Sequence, residues 1–282
     1  MAVMRVLVTG SRGYLGRSIV GQLVEAGHEV VPFAGDVRTA DIPSSDGVIH
    51  LAALARVRES FEDPLSYYDV NVTGTLRLLK SGAPRFVFAS TAGVYGTPRG
   101  HVLTEEHPRV PTNPYAATKA AAEDALAWTA RTGALSAATL RLFNLAGGGD
   151  RDETRVVTRA CAVAAGRLPS MEVYGDGSAV RDFVHVADAA RAFVLALEHR
   201  APGHEAYNVG ATPASVADVL AAVHRVTGVP VTADHRPAHP GETREMRADT
   251  TKLRALGWRP VESDLDSLVG SQWAAEGPHR TA

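Results

Sequence analysis

The stretch Met4-Arg5-Val6-Leu7-Val8-Thr9-Gly10-Ser11-Arg12-Gly13-Tyr14-Leu15-Gly16 decides the architecture of this 282-residue chain. Residues 4–8 are a short β-prone run. The apolar residues Ile19, Val20 and Leu23 then recur at helical spacing until Gly27 stops the pattern. His28 to Phe33 reads as a second strand. Glycines at 10, 13 and 16 therefore fall between a first strand and a first helix. A pyrophosphate reaches the N–H groups of a helix N-terminus only where no Cβ stands in the way. A glycine triplet is often just a tight turn, but this placement favours nucleotide binding. The spacing is Gly-x-x-Gly-x-x-Gly rather than Gly-x-Gly-x-x-Gly.

Downstream, strands and helices alternate. Gly47-Val48-Ile49-His50-Leu51-Ala52-Ala53 is a continuous apolar run of the kind found in buried parallel strands. A helix is expected over 64–80, a strand over Arg85–Ala89 ending in Ser90-Thr91, and another over 138–143 ending in Asn144 and Gly147-Gly148-Gly149. This alternation predicts an α/β fold with a parallel sheet. Beyond residue 150 the composition changes. Helices are expected over 152–166, from about Val186 to Glu198, from Ser215 to Thr227, and over 249–256 and 264–273. Short strands are expected at 171–174 and Tyr207–Gly210, and an exposed Pro-rich segment at 236–241.

Two stretches carry chemistry. In Tyr115-Ala116-Ala117-Thr118-Lys119 the Tyr and Lys share one helix face, after an Asn113-Pro114 start signal. Tyrosine is protonated at neutral pH, and a neighbouring ammonium favours the phenolate. Taken alone, such a pair belongs more often to an ordinary surface helix. Its weight comes from Ser90 or Thr91, placed at a strand end where ligands of parallel sheets sit. At the other end of the crevice the second strand finishes Val31-Pro32-Phe33 without the acid that usually holds an adenosine ribose. The next carboxylate is Asp36, in Gly35-Asp36-Val37-Arg38. Arg12 and Arg38 are available to a 2′-phosphate, or are simply solvated, so NAD is expected with NADP as the alternative.

Composition excludes several classes. A net charge of -2 gives no basic field for nucleic acid. The single cysteine, Cys161, precludes an internal disulfide and a Cys-based metal cluster, and fits a reducing compartment. No signal peptide and no membrane-length apolar run is read, so a soluble, cytoplasmic protein without membrane partners is expected. The eleven histidines show no metal pattern. Pro237 between His235 and His239 argues against a helical ligand pair.

Taken together, these residues resemble the extended short-chain dehydrogenase/reductase family over nearly the whole chain. Thr9-Gly10-x-x-Gly13-x-x-Gly16 matches that family's cofactor turn, and Thr91, Tyr115 and Lys119 match its catalytic triad. Within the family, the chain most resembles the nucleotide-sugar 4-epimerases. The likeness lies in Pro64–Thr75, Leu142-Phe143-Asn144, Tyr174-Gly175-Asp176-Gly177, Arg181–Val186 and Leu256-Gly257-Trp258.

The resemblance implies a Rossmann-type doubly wound parallel sheet with a smaller C-terminal substrate-binding α/β subdomain. Residues 1–145 and about 183–212 would form the dinucleotide half, and 146–182 and 213–282 the nucleotide-sugar half. It implies cofactor contacts at Gly10, Arg12, Gly13, Tyr14, Leu15, Gly16, Asp36, Val37, Arg38, Leu51, Ala52, Ala53, Asn71, Tyr115 and Lys119. Substrate contacts would come from Thr91, Asn144, Tyr174 on the nucleobase, Arg181 on the diphosphate and Glu242 on the ribose, with Met246 nearby. No metal is implied. A homodimer through the Tyr115 helix and its predecessor is expected. Departures accompany the likeness. The segment after the second strand is short, with one edge strand expected to be lost. Ala55 stands where the epimerases carry a lysine, His239 where they carry an arginine, and Thr154 where they carry an asparagine. An NADPH-dependent 4-ketoreductase or dehydratase is therefore the second reading, and a non-catalytic NADP-binding sensor the third.

Overall fold

The strand opened by Arg5 lies one place in from the edge of a six-stranded sheet in a computed structural model that describes residues 2–98, 102–200, 202–238 and 244–276. In chain order the strands are β1 (Arg5–Thr9), β2 (Glu29–Pro32), β3 (Gly47–His50), β4 (Arg85–Thr91), β5 (Val102–Leu103), β6 (Ser136–Leu142) and β7 (Asn144–Ala146). They continue with β8 (Met171–Tyr174), β9 (Val180–His185), β10 (Gly203–Val209), β11 (Thr212–Ser215), β12 (Ala233–Arg236) and β13 (Glu245–Ala248). The helices of the first half are α1 (Tyr14–Glu25), α2 (Val57–Glu62), α3 (Pro64–Tyr68), α4 (Gly74–Leu79) and α5 (Pro114–Ala130). Those of the second are α6 (Val156–Ala164), α7 (Val186–Glu198), α8 (Val216–Thr227), α9 (Thr251–Ala255) and α10 (Leu265–Ala275).

The main sheet runs β10-β6-β4-β3-β1-β2 with every pair parallel. Its strands are apolar on both faces because helices cover both. Val6 and Val8 point to one side, where Ile19 and Leu23 of α1 and Phe193 and Leu197 of α7 pack. Leu7 and Val48 point to the other, against Leu78 of α4 and Ala122 and Leu126 of α5. From β1 the chain crosses through α1 to β2 at the edge, then returns to β3 on β1's other side. The strand order therefore reverses between β1 and β3, which opens a crevice at their C-terminal ends.

The helix expected over 64–80 follows one helical path but contains a π turn at Asp69–Thr73, joining α3 to α4. The extra residue in this turn places the Asn71 side chain inward, where it is buried.

The second half builds a smaller sheet, β11-β9-β13-β5 with β7 beside β9, and a β8–β12 pair. Val157 and Cys161 of α6, Val219 and Val223 of α8, and Leu268 and Val269 of α10 form its core. Ser215 caps α8, as expected, in a reciprocal capping box with Asp218. Strands β5, β7, β9, β11, β12 and β13 were not anticipated. Ala233–Arg236 pairs in parallel with β8 and takes in the first residue of the segment read as exposed. Glu245–Ala248 pairs with β9 and β5. None of the six is longer than six residues, too short for a clear period-2 signal. The strand read at Tyr207–Gly210 begins earlier, at Gly203, because it pairs with β6 along seven residues. Val180–His185 belongs to the smaller sheet, so the chain re-enters the main layer at α7.

Candidate active site

The glycine turn forms a cradle. Gly10 adopts φ +67, and its carbonyl accepts the Gly13 N–H at 2.9 Å. A Cβ on Gly16 would lie 2.1 Å from the Gly10 carbonyl oxygen, so only glycine lets α1 pack this closely on β1. Gly13 is the N-cap of α1, and no capping side chain and no acid occupies the helix's first turn. The first N–H groups and the helix dipole are thus left for an external anion. This cradle fits a dinucleotide pyrophosphate. Leu15 and Gly16 are buried beneath it, while Arg12 and Gly13 are exposed above. The Tyr14 hydroxyl donates to the Gly147 carbonyl, fastening the turn to the exit from β7. Thr9 Oγ1 accepts from Leu51 N at 3.0 Å and Ala52 N at 3.1 Å, drawing the end of β3, with Ala53, against the turn.

Asp36 and Arg38 meet at the far end of the crevice. Hydrogen bonds from the Arg38 side chain and backbone hold the Asp36 carboxyl down to about 2. Arg38 also donates to Asp69 at 2.6 Å. Val37 is buried, against Gly74. Arg38, read as open to a 2′-phosphate or simply solvated, pairs with two carboxylates, and the charge of Arg77 also reaches Asp36.

The triad residues converge from two elements. Thr91 ends β4. Asn113 caps α5 by accepting Ala116 N at 2.9 Å, which presents Tyr115 and Lys119 on the helix's inner side. The Thr91 hydroxyl accepts the Gly93 N–H at 3.1 Å and lies beside the Tyr115 phenol, where it favours the ionised form. With one lone pair already engaged, its proton is free to face the phenolic oxygen. Ser90, the other candidate at this strand end, is committed elsewhere: it donates to the buried Glu123 at 2.5 Å. Glu123 also accepts Arg141 at 2.8 Å and Arg109 at 3.4 Å.

Burial pushes the Tyr115 phenol up to about 12, opposed by the Thr91 hydrogen bond and the charge of Arg155. Burial pushes the Lys119 ammonium down to about 7, opposed by Glu123. Lys119 Nζ donates to the Ala89 carbonyl at 2.9 Å and lies 4.6 Å from the centre of the Phe88 ring. Lys119 is thus anchored beneath the site by the strand that ends in Thr91. The cation acting on the phenol is Arg155, which the sequence did not flag. Arg155 is the N-cap of α6, lies 5.3 Å from the Tyr14 ring centre, and is held by Asp150 at 3.0 Å.

Beside the triad lies an open cleft of about 210 Å³, lined among others by Thr91, Asn144, Arg181 and Met246. Asn144 is exposed and donates to the Asp182 carbonyl at 3.1 Å, and Arg181 donates to the Val180 carbonyl at 2.9 Å. Tyr174 is half-buried at the end of β8. Glu242 and His239 lie outside the described residues. Asn71 is placed differently from its expected cofactor contact. Its two amide hydrogens go to the Leu54 carbonyl and to Thr118 Oγ1, each at 3.0 Å, so it ties structure together and has no donor left for a ligand. No group of His, Cys, Asp and Glu among the described residues is arranged to hold a metal ion.

A glycine cradle at the switch point of a parallel sheet, facing a Thr–Tyr–Lys site, defines an enzyme of the extended short-chain dehydrogenase/reductase class. Residues 6–210 match the NAD dependent epimerase/dehydratase family, and the chain belongs to that family. It is 35% identical to a UDP-glucose 4-epimerase of Lacticaseibacillus casei, with 96% of each chain covered. That alignment spans 317 positions, more than this chain's length, so the relative carries segments absent here. Two solved structures are similar at 32% identity. One is the UDP-glucose 4-epimerase from Brucella ovis in complex with NAD, with TM-score 0.89, covering 97% of this chain and 98% of that one. The other is the enzyme from Stenotrophomonas maltophila with bound NAD and formylated UDP-arabinopyranose, with TM-score 0.90 and the same coverage.

Proposed function

We propose that this protein is an NAD-dependent epimerase that inverts C4 of a nucleotide sugar. The observation that carries this reading is the convergence of Thr91 and Tyr115 at the edge of the cleft, with the glycine cradle at the other end of the crevice. Gly10, Gly13 and Gly16 with the N-terminus of α1 would hold the pyrophosphate, and Asp36 the adenosine end. When bound, NAD supplies the acceptor and donor of the C4 hydride. Tyr115 removes the proton of the sugar 4-hydroxyl and later returns it. Thr91 orients the same oxygen and, with Arg155, stabilises the phenolate against the cost of burial. Asn144 and Arg181 would receive the nucleotide sugar in the cleft, with Tyr174 against the base and Glu242 on the ribose. The six-stranded layer is thus the cofactor half, and the smaller sheets the sugar half.

The exposed apolar side chains Leu65, Tyr68, Leu76 and Trp128 on α3, α4 and α5 support a homodimer through these helices. Among the described residues no helix is long and apolar enough to cross a membrane. Together with the single, buried cysteine, this supports a cytoplasmic location.

The test is to denature the purified protein, identify released nucleotide by mass, and follow UDP-galactose and UDP-glucose by NMR. Stoichiometric NAD, with sugars interconverting and no net cofactor consumption, is expected. Turnover that consumes NADPH would move the assignment to a reductase. Nucleotide sugars left unchanged by fully loaded protein would overturn the reading.

A further inference from the structure

A chain of buried hydrogen bonds runs through the middle of the main layer from the cofactor turn to the catalytic helix. It begins at Leu51 N and Ala52 N, which both donate to Thr9 Oγ1. With its acceptor sites taken, Thr9 turns its own proton to His50 Nδ1, 2.7 Å away. His50 Nε2 lies 3.0 Å from Thr75 Oγ1. The Thr75 proton goes to the Asn71 carbonyl at 2.6 Å, so Thr75 accepts from His50. The Asn71 amide then holds both the N–H and the carbonyl of Leu54, and donates to Thr118 Oγ1. Thr118 donates to the Tyr115 carbonyl at 2.7 Å. Every proton in the series has one assignment, and the imidazole must be the neutral Nε2–H tautomer.

We propose that His50 is a positioning residue: through Thr9 and Thr75 it sets the glycine turn and the Tyr115–Lys119 helix in register with one another. Burial and the Lys119 charge keep the ring neutral, the state in which it has one donor and one acceptor nitrogen. Thr9, His50, Asn71, Thr75 and Thr118 are each at most 1% exposed, beside an apolar cluster that includes Leu7, Val48, Leu78 and Phe88. Five mutually satisfied polar groups are no more stabilising there than apolar side chains of the same volume. Their gain is directional: they fix the crevice end of β3 and the Leu54 loop relative to α5. His50 does not line the cleft; its polar contacts are the two threonines, and its ring packs on Phe86 and Phe88.

The proposal rests on the NAD-dependent reading, and its test separates the two. NAD affinity is measured by calorimetry on the stripped full-length chain, with kcat, KM for the nucleotide sugar and Tm, for His50→Leu, His50→Asn and Thr75→Val. His50→Leu should weaken NAD binding and lower kcat, each about tenfold, with the sugar KM within about twofold, as expected for lost buried hydrogen bonds. In His50→Asn the introduced amide oxygen can still accept from Thr9, so this variant should recover most of the NAD affinity while kcat stays low. Thr75→Val is nearly isosteric and keeps the Thr9 link. It should lower kcat with NAD affinity unchanged, and it tests the proposal even where His50→Leu does not fold. Folded variants that match the wild type, or that lose NAD affinity, kcat and Tm together in fixed proportion, would overturn the positioning role. A wild type that binds no NAD would overturn the functional reading beneath it, and the proposal with it.

Discussion

Lys119 Nζ donates to the carbonyl of Ala89, two residues before Thr91 on the same strand. One hydrogen bond thus locks the catalytic helix to the strand that ends in the catalytic hydroxyl. It also fixes where the positive charge sits: deep under the site, over Phe88, with the Glu123–Arg141 pair one helical turn further along. The Lys119 ammonium is held there against a strong desolvation cost.

That cost is measurable as a pH dependence of stability. The folded pKa of Lys119, about 7, lies below its unfolded value of about 10.4. Between these values the unfolded chain binds more protons, so the Lys119 contribution to stability rises with pH. Below pH 7 both states are protonated and the penalty is fully present and constant. Tyr115 and Cys161 are shifted the opposite way, but they are common to wild type and variant. The Tm of the wild type relative to Lys119→Met should therefore climb from about pH 7 towards pH 10. Parallel curves over that range would show that Lys119 is not buried as a costly cation.

Tyr115→Phe removes the only phenolic oxygen that Thr91 orients. It should lower kcat by roughly 10²–10⁴-fold. NAD content and Tm should stay near wild type, because the glycine cradle does not include the phenol. Thr91→Val leaves the acid/base in place but removes the hydroxyl that favours its anion, so a loss of about 10–100-fold is expected. A Tyr115→Phe enzyme with wild-type turnover would remove the residue from the reaction.

The glycine turn and the Thr–Tyr–Lys set were legible in the sequence because each is a local pattern: three glycines at a strand–helix junction, and two side chains one helical turn apart. What was misread depends on partners distant in sequence. Helical spacing paired Lys119 with Tyr115, but burial drew its ammonium to Ala89 and gave the electrostatic role to Arg155, forty residues away. His50 was visible as the one polar residue inside an apolar strand, yet its role needs Thr9 and Thr75, which only the sheet order brings to it. Strand β12 was missed because Asp234-His235-Arg236 carries no alternation, and β13 because Glu245–Ala248 alternates over only four residues; they pair with β8 and β9.

The clamp on Arg38 predicts cofactor preference. Asp36 and Asp69 both pair with its guanidinium, so an added 2′-phosphate must compete with two carboxylates for it. Wild type should bind NAD more tightly than NADP. Replacing both carboxylates, Asp36→Asn with Asp69→Asn, frees the arginine and should move the NADP/NAD affinity ratio towards NADP by about tenfold at low salt, less at high salt. Calorimetry with both dinucleotides at two ionic strengths reads this directly. An unchanged ratio would place the 2′ position away from this cluster.

Arg155 offers the sharpest electrostatic test. Its charge lowers the Tyr115 pKa, and it is held in place by Asp150 and by stacking near Tyr14 rather than by contact with the phenol. Arg155→Gln should leave Thr91 in place beside Tyr115 while letting the phenol pKa rise. Since the reaction needs the phenolate, the alkaline rise of kcat should move to higher pH, and the deficit should be largest near neutrality and shrink as pH increases. A variant impaired by the same factor at every pH would show that Arg155 serves binding or structure instead. Asp150→Asn loosens the hold on Arg155, so it should displace the rise of kcat in the same direction as Arg155→Gln but by less. Two displacements of one sign, graded by how much of the Arg155 charge is lost from the site, would establish that Arg155 tunes the catalytic tyrosine.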